Sequence, residues 1–160
     1  GRACRGSPAV STPRLLDARR ALDMLAGPVA RLRTSLEEDA SVFPLNATSV
    51  LTVDAKAIDA FLQRYQQVAD LLLRKLFPRV LAVIEQRGEQ LRFRDMLDAL
   101  ERYRVIDSAD EWSDIAEQRN RLVHEYAMEA PARAHELNGA WASAPLLIAG
   151  VDRCAIALEG

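Results

Sequence analysis

The sequence predicts an all-α protein, an antiparallel bundle of about five helices. Apolar residues recur at steps of three and four along almost the whole chain, whereas the two-residue alternation of strands is hard to find. Only seven glycines and seven prolines interrupt 160 residues. The length suits one domain, and an apolar content of 49% is too high for a wholly disordered chain. Short connections make sequential helices antiparallel neighbours.

The N-terminal third is predicted to add a helical segment and a loop to the main bundle. Residues 1–13 are interpreted as a disordered tail or a leftover of cloning, because they lack the apolar core of a secretion signal. Helical spacing over residues 14–39 is expected to kink or break at Gly27-Pro28. Residues 40–53 have the composition of a loop.

The strongest helical pattern begins after Asp54, a residue type that is favoured at helix N-caps. Pro78 is expected to bend or interrupt this helix, and Gly88 to end it. Residues 54–160 are expected to form the main bundle, in one compact domain with the segment before them. The predicted buried stripe consists of Ile58, Phe61, Leu62, Tyr65, Ala69, Leu72, Leu73 and Leu76.

Three more helices are predicted in the second half. The first spans residues 93–105, and Ser108 and Glu111 have the capping-box spacing that opens the next, which runs to about residue 128. Pro131 suits the first turn of a last helix ending near residue 158, with candidate breaks at Gly139 and Pro145. The side chains expected to be buried by the helix over residues 93–105 are Phe93, Met96, Leu97, Leu100 and Tyr103.

Composition excludes several classes of function. Cys4 and Cys154 lie near opposite ends without metal-ligand spacing, so we expect neither a disulfide framework nor a zinc site. The expected compartment is the reducing cytoplasm. Phosphate-loop, dinucleotide and zincin motifs are absent. With only His124 and His135 available, we expect no metal and no cofactor. We also expect no membrane segment, because no uninterrupted apolar run approaches the length of a membrane helix.

One arginine interrupts the apolar face of the helix that follows Ser108. On a helical wheel, Arg119 lies at the centre of an arc formed by Trp112, Ile115, Leu122 and Val123. Because an unpaired charge in an apolar face is costly, this arginine must meet a carboxylate, a crevice, another subunit or an anionic ligand. Asn120 and His124 flank the arc one turn apart, and Tyr126 returns to it.

The segment Arg119-Asn-Arg-Leu-Val-His-Glu-Tyr126 resembles the Arg-x4-His-x-Tyr motif of HEPN-domain proteins. The resemblance is strongest to HepT-like toxins, which pair with minimal nucleotidyltransferase antitoxins. Asn120 fits the family's preference for a polar residue directly after the arginine. The order of helices over residues 54–158 is similar to the family's layout, whereas the segment before Asp54 has no counterpart in it.

The resemblance implies a metal-independent ribonuclease whose active site forms where two motif helices meet in a homodimer. Arg119, Asn120 and His124 are the implied catalytic residues. Histidine transfers protons near neutral pH and arginine neutralises phosphate, so this set suits attack by an RNA 2′-hydroxyl. The resemblance further implies that the partner nucleotidyltransferase attaches AMP to Tyr126 and silences the nuclease. The alternative for Tyr126 is a purely structural side chain at a helix end.

Local charge indicates an RNA path. Residues 64–104 carry nine basic and six acidic side chains, whereas residues 110–129 carry two and six. The candidate RNA-binding residues are Arg92, Arg94 and Arg121, and the alternative is that such arginines form ion pairs between helices.

Two other functional classes stay open. The HEPN family also includes catalytically idle partner subunits of nucleotidyltransferases that share the same bundle. The chain could also be a helical interaction protein unrelated to either.

Overall fold

A computed structural model describes residues 12–86, 91–124 and 129–160. These ranges are helical and contain no strand. One π-helical turn, Leu72–Leu76, joins two of the helices into a single rod, so that five long rods and one short helix form the bundle. The helices are α1 (Thr12–Glu38), α2 (Ser49–Thr52), α3 (Ala55–Leu71), α4 (Phe77–Glu85), α5 (Phe93–Arg102), α6 (Ala109–His124) and α7 (Ala130–Glu159). The predicted all-α fold class is confirmed.

Helix α1 is continuous, which corrects the predicted break at Gly27-Pro28. Pro28 cannot donate a backbone hydrogen bond, but its ring is buried on the face that packs against the bundle, and this packing holds the helix together. The helix already begins at Thr12, so its first two residues fall in the region predicted to be a tail, while residues 1–11 lie outside the described residues. The buried face consists of Ala18, Ala21, Leu25, Pro28, Leu32 and Ser35.

Residues 39–53 are held against α7, so the N-terminal third is part of the same bundle. The ring of Phe43 stacks on that of Trp141 with centroids 4.2 Å apart. The Leu45 N–H donates to Asn138 Oδ1 at 2.7 Å, and Asn138 Nδ2 donates to the Leu45 carbonyl at 2.8 Å. The predicted loop is confirmed, apart from the single turn of α2.

The rod α3–α4 begins as predicted and passes Pro78 without interruption. Asp54 Oδ1 accepts the Lys56 N–H at 3.0 Å, which confirms the N-cap. In the π-helical turn the Phe77 N–H bonds the Leu72 carbonyl, and this wider turn accommodates the proline ring that follows it. The rod ends at Glu85, and the left-handed residue beyond it is Gln86, with φ 53°. The predicted stop, Gly88, lies outside the described residues.

Helix α5 is shorter than predicted and leaves two aromatic side chains in solvent. Phe93 is 41% exposed and Tyr103 is 45% exposed, which corrects their predicted burial. Phe93 is the first residue of the helix and Tyr103 follows its last turn, so neither lies over the core as Met96, Leu97 and Leu100 do. Arg104, with φ 60°, turns the chain away from the helix. Met96, Leu97 and Leu100 are buried as predicted.

Helix α6 starts at the predicted cap, Ser108, and a carboxylate from α5 binds a second N–H of its first turn. Ser108 Oγ accepts the Glu111 N–H at 3.2 Å. Another N–H of the first turn, that of Ala109, donates to the Glu101 carboxylate from the end of α5 at 2.6 Å. The two helices are therefore connected by a side-chain cap as well as by their packing.

Helix α7 runs unbroken through Gly139 and Pro145, which corrects both candidate breaks. Gly139 is a packing position, because a Cβ there would lie 1.8 Å from Gln118 Nε2 of α6. Pro145 is exposed on the outer side of the helix. Of the helices in the described ranges, α7 alone is long and apolar enough to cross a membrane by length and composition. It packs against α1, α3, α4 and α6.

Candidate active site

Arg119 continues the buried face of α6, as the helical wheel predicts. Ile115 and Trp112, one and two turns earlier, are each 4% exposed, and the Arg119 side chain is 13% exposed. The partner that this position requires is Asp70, near the end of α3. Arg119 Nη2 donates to Asp70 Oδ2 at 2.8 Å, and Nε lies 2.7 Å from Oδ1. Of the partners that the sequence left open, the structure therefore gives Arg119 a carboxylate of its own bundle.

The guanidinium of Arg119 has two edges with different surroundings. On the Asp70 edge, Nε is buried and close to the carboxylate, but its N–H does not point at an acceptor, so that contact is ionic. On the other edge, Nη1 donates to Asn120 Oδ1 at 3.3 Å. Asn120 is exposed. Asp70 thus holds one edge of Arg119, while the edge beside Asn120 faces the part of the helix that reaches solvent.

Sequence reasoning did not find Asp70. It lies beside the apolar stripe of α3, where an acidic residue is ordinary for a solvated helix. Nothing in its spacing relative to neighbouring residues separates it from Asp59, which is exposed one turn into the same helix. Only the packing of α6 against α3 makes it the partner of Arg119.

The other motif residues are placed by the backbone of α6. Asn120 and His124 lie four residues apart, one helical turn, on this helix. His124 is the last residue of α6, and its side chain lies outside the described part of the structure. Tyr126 lies entirely outside the described residues. The structure therefore describes the side chains of Arg119 and Asn120, but not those of His124 and Tyr126.

The three candidate RNA-binding arginines are not gathered in one place. Arg92 is exposed at the N-terminus of α5. Arg94 contacts Asp98 at 3.1 Å and Asp110, in the first turn of α6, at 2.6 Å. Those contacts, above all the hydrogen bond to Asp110, raise the pKa of Arg94. Arg94 is therefore engaged in ion pairs, one of which joins α5 to α6.

Arg121 is also paired, at the opposite end of α6. Its Nε donates to Glu136 Oε1 of α7 at 3.1 Å. The other oxygen of Glu136 is buried and has no hydrogen-bond partner among the described residues. Sequence reasoning missed this carboxylate, which lies within contact distance of the motif helix and leaves an acceptor free.

The described ranges contain no group of three or more histidine, cysteine, aspartate or glutamate side chains placed to hold a metal ion. No protein-family model, curated protein or solved structure matches the chain.

Proposed function

We propose that the chain is a metal-independent ribonuclease, the toxin component of a HEPN/minimal nucleotidyltransferase toxin–antitoxin system. The observation that carries the proposal is the position of Arg119. A charged side chain occupies the buried face of α6, Asp70 orients it, and its Nη1 edge lies beside Asn120, one turn before His124. A helix selected only for packing would carry an apolar residue there.

These residues supply what transfer of a phosphate to an RNA 2′-hydroxyl requires. His124 takes the proton from the hydroxyl, and the Nη1 edge of Arg119 neutralises charge on the phosphorus oxygens. Asn120 orients the phosphate or the histidine. In a homodimer, the second copy of His124 protonates the leaving 5′-oxygen, and the product carries a 2′,3′-cyclic phosphate.

Regulation by the partner enzyme belongs to the same proposal. AMP attached to Tyr126 would add bulk and negative charge two residues beyond His124. A site that binds the RNA backbone would then be blocked both sterically and electrostatically. The nucleotidyltransferase is thus the proposed antitoxin partner.

A second candidate function is a non-catalytic partner subunit of a nucleotidyltransferase. The Asp70 contact favours it, because a carboxylate of the same protomer already neutralises Arg119. In this case the arginine stabilises the bundle and has no phosphate to bind. The two candidates differ in RNA cleavage: the ribonuclease cleaves RNA and needs His124 to do so, whereas the partner subunit does not cleave RNA.

Replacement of one histidine at a time tests the ribonuclease. We expect His124→Ala to reduce the rate of RNA cleavage by at least about 100-fold, the usual effect of removing a general acid or base. His135→Ala is the matched control, because His135 is exposed on α7 and is the chain's other histidine. It should cleave at the wild-type rate. Cleavage is measured on purified protein with a labelled RNA, with and without EDTA.

Two results would overturn the ribonuclease proposal. One is a fully active His124→Ala protein, and the other is loss of wild-type cleavage on chelation. An inactive wild-type chain that binds a nucleotidyltransferase and raises its activity would establish the partner-subunit alternative instead.

A further inference from the structure

A groove lies on the side of the bundle where α1, the α3–α4 rod and α5 come together. Its volume is about 730 Å³. The first turn of α1, the π-helical turn, α4 and α5 all contribute to its walls. Several of the lining residues are exposed, including Arg74, Lys75 and Arg102, so the groove is open to solvent. A site of this volume is in the range of ligand sites in proteins.

The groove carries an excess of positive charge. Its lining includes five basic side chains and three carboxylates. One of the carboxylates, Asp98, is already paired with Arg94 at 3.1 Å. Within the described ranges none of the five basic residues forms an ion pair with a carboxylate. The basic residues are Arg14, Arg74, Lys75, Arg79 and Arg102.

The π-helical turn places basic residues at this groove. Arg74 and Lys75 occupy the turn and are exposed. Arg79, one turn later, donates from Nη1 to the Lys75 carbonyl at 3.0 Å, which fixes its side chain along the rod. π-Helical turns are frequent at functional sites, because they change the direction in which side chains leave a helix.

The rest of the lining suits a nucleotide chain better than a purely ionic ligand. Pro78 and Leu91, which are both exposed, supply apolar surface to the groove. Tyr103, 45% exposed, lies next to the groove, since its hydroxyl donates to the lining residue Glu85 at 3.4 Å. Basic side chains combined with apolar and aromatic surface are typical of sites that bind single-stranded nucleic acid.

The geometry points to this groove as the binding site for the backbone of a single-stranded RNA, with Arg74, Lys75 and Arg102 contacting phosphates. Arg74 follows Asp70, the partner of Arg119, by four residues, about one turn along the rod. The choice of RNA over other polyanions rests on the proposed ribonuclease function. Arg74, Lys75 and Arg102 belong to the basic stretch over residues 64–104 in which the sequence placed an RNA path, but they are not the three arginines named there as RNA-binding candidates.

Binding of an uncleavable RNA tests the groove separately from catalysis. The probe is a fluorescein-labelled single-stranded oligouridylate with methylated 2′-hydroxyls, titrated by fluorescence anisotropy over a range of salt concentrations. The variant Arg74→Ala/Arg102→Ala removes two exposed cations from the groove. The control Arg19→Ala/Arg20→Ala removes two exposed cations from α1 outside it, with the same change in net charge. Thermal unfolding checks that both variants stay folded.

We expect the groove variant to bind about 20-fold more weakly at about 0.1 M salt, and the slope of log K against log salt to fall by about 1.4, the value for two lost phosphate contacts to a single strand. The control should bind as the wild type does. Equal weakening by the control, or unchanged binding by the groove variant, would overturn the inference.

Competition separates other ligands from an RNA strand. Displacement of the probe by ATP at equal nucleotide concentration would show a site for free nucleotides, and displacement by polyglutamate would show a site for acidic protein. Either result overturns the assignment to RNA. If the groove binds the probe as expected while wild-type RNA is not cleaved, the proposed function fails and the groove stands. If His124-dependent cleavage is present and the groove variant binds normally, the groove assignment fails and the proposed function stands.

Discussion

The Arg119–Asp70 contact joins α6 to α3 between two side chains of unequal burial. The arginine side chain is 13% exposed and the aspartate side chain 36% exposed. Solvent therefore screens the carboxylate more than the guanidinium, which weakens the attraction between them. Loss of Asp70 leaves a buried cation beside apolar residues, whereas loss of Arg119 leaves a carboxylate that reaches water.

This asymmetry predicts the outcome of a double-mutant cycle. Asp70→Ala is expected to lower the free energy of unfolding by about 2 kcal/mol, and Arg119→Ala by about 1 kcal/mol. The double variant should lose less than the sum of the two, with a coupling of about 1 kcal/mol. Urea unfolding monitored by circular dichroism gives all three values. Strict additivity would show that the contact contributes nothing to stability.

The sequence alone led to Arg119 because the apolar period of one helix shows where a charge is out of place. It could not lead to Asp70 or Glu136, since an acidic residue beside an apolar stripe is common on any helix. Which acid meets which base depends on how helices pack, and single-helix periodicity does not contain that information.

Helix α6 packs on α7 at two glycines that differ in what they face. A Cβ at Gly150 would lie 2.6 Å from Cη2 of Trp112, a ring that also packs edge-on against Phe77 with centroids 5.0 Å apart. A Cβ at Gly139 would lie 1.8 Å from Gln118 Nε2, the end of a flexible side chain. The first neighbour cannot move, whereas the second can rotate away.

Alanine substitution at the two glycines should therefore have opposite effects. Gly150→Ala is expected to destabilise the protein by about 1–3 kcal/mol through overpacking. Gly139→Ala should be neutral or stabilising by up to about 1 kcal/mol, because alanine favours the helix. Gly27→Ala, on the exposed side of α1, is the control for the gain from helix propensity alone. Thermal unfolding measures the three differences. A loss of stability at Gly139 as large as that at Gly150 would contradict this account of α6 packing.

Helix starts were more predictable than helix interruptions. Asp54 and Ser108 act locally, through a side chain that binds an N–H two or three residues on, so the sequence sufficed. A proline removes one helical hydrogen bond and crowds the preceding turn, but whether the helix stops there depends on more than the local sequence, and the helices continue through Pro28, Pro78 and Pro145. The predicted breaks were wrong for this reason.

At the scale of the whole molecule, one bundle includes both the segment that resembles HEPN proteins and the N-terminal third that does not. α1 packs along the α3–α4 rod and α7, and its first turn forms one wall of the basic groove. The apolar period of α1 predicted a helix, and the fold class followed from the same pattern along the chain. The groove could not be predicted, because its residues come from separate segments that only packing brings together.

The ends of the RNA product test the central claim most directly. Attack by the adjacent 2′-hydroxyl needs no metal and leaves a 2′,3′-cyclic phosphate and a 5′-hydroxyl. We predict these ends, identified by mass spectrometry, after digestion in EDTA by the wild-type chain and by His135→Ala, and no product from His124→Ala. Products with a 3′-hydroxyl and a 5′-phosphate, or cleavage that survives His124→Ala, would contradict the claim that His124 and Arg119 form a metal-independent ribonuclease site.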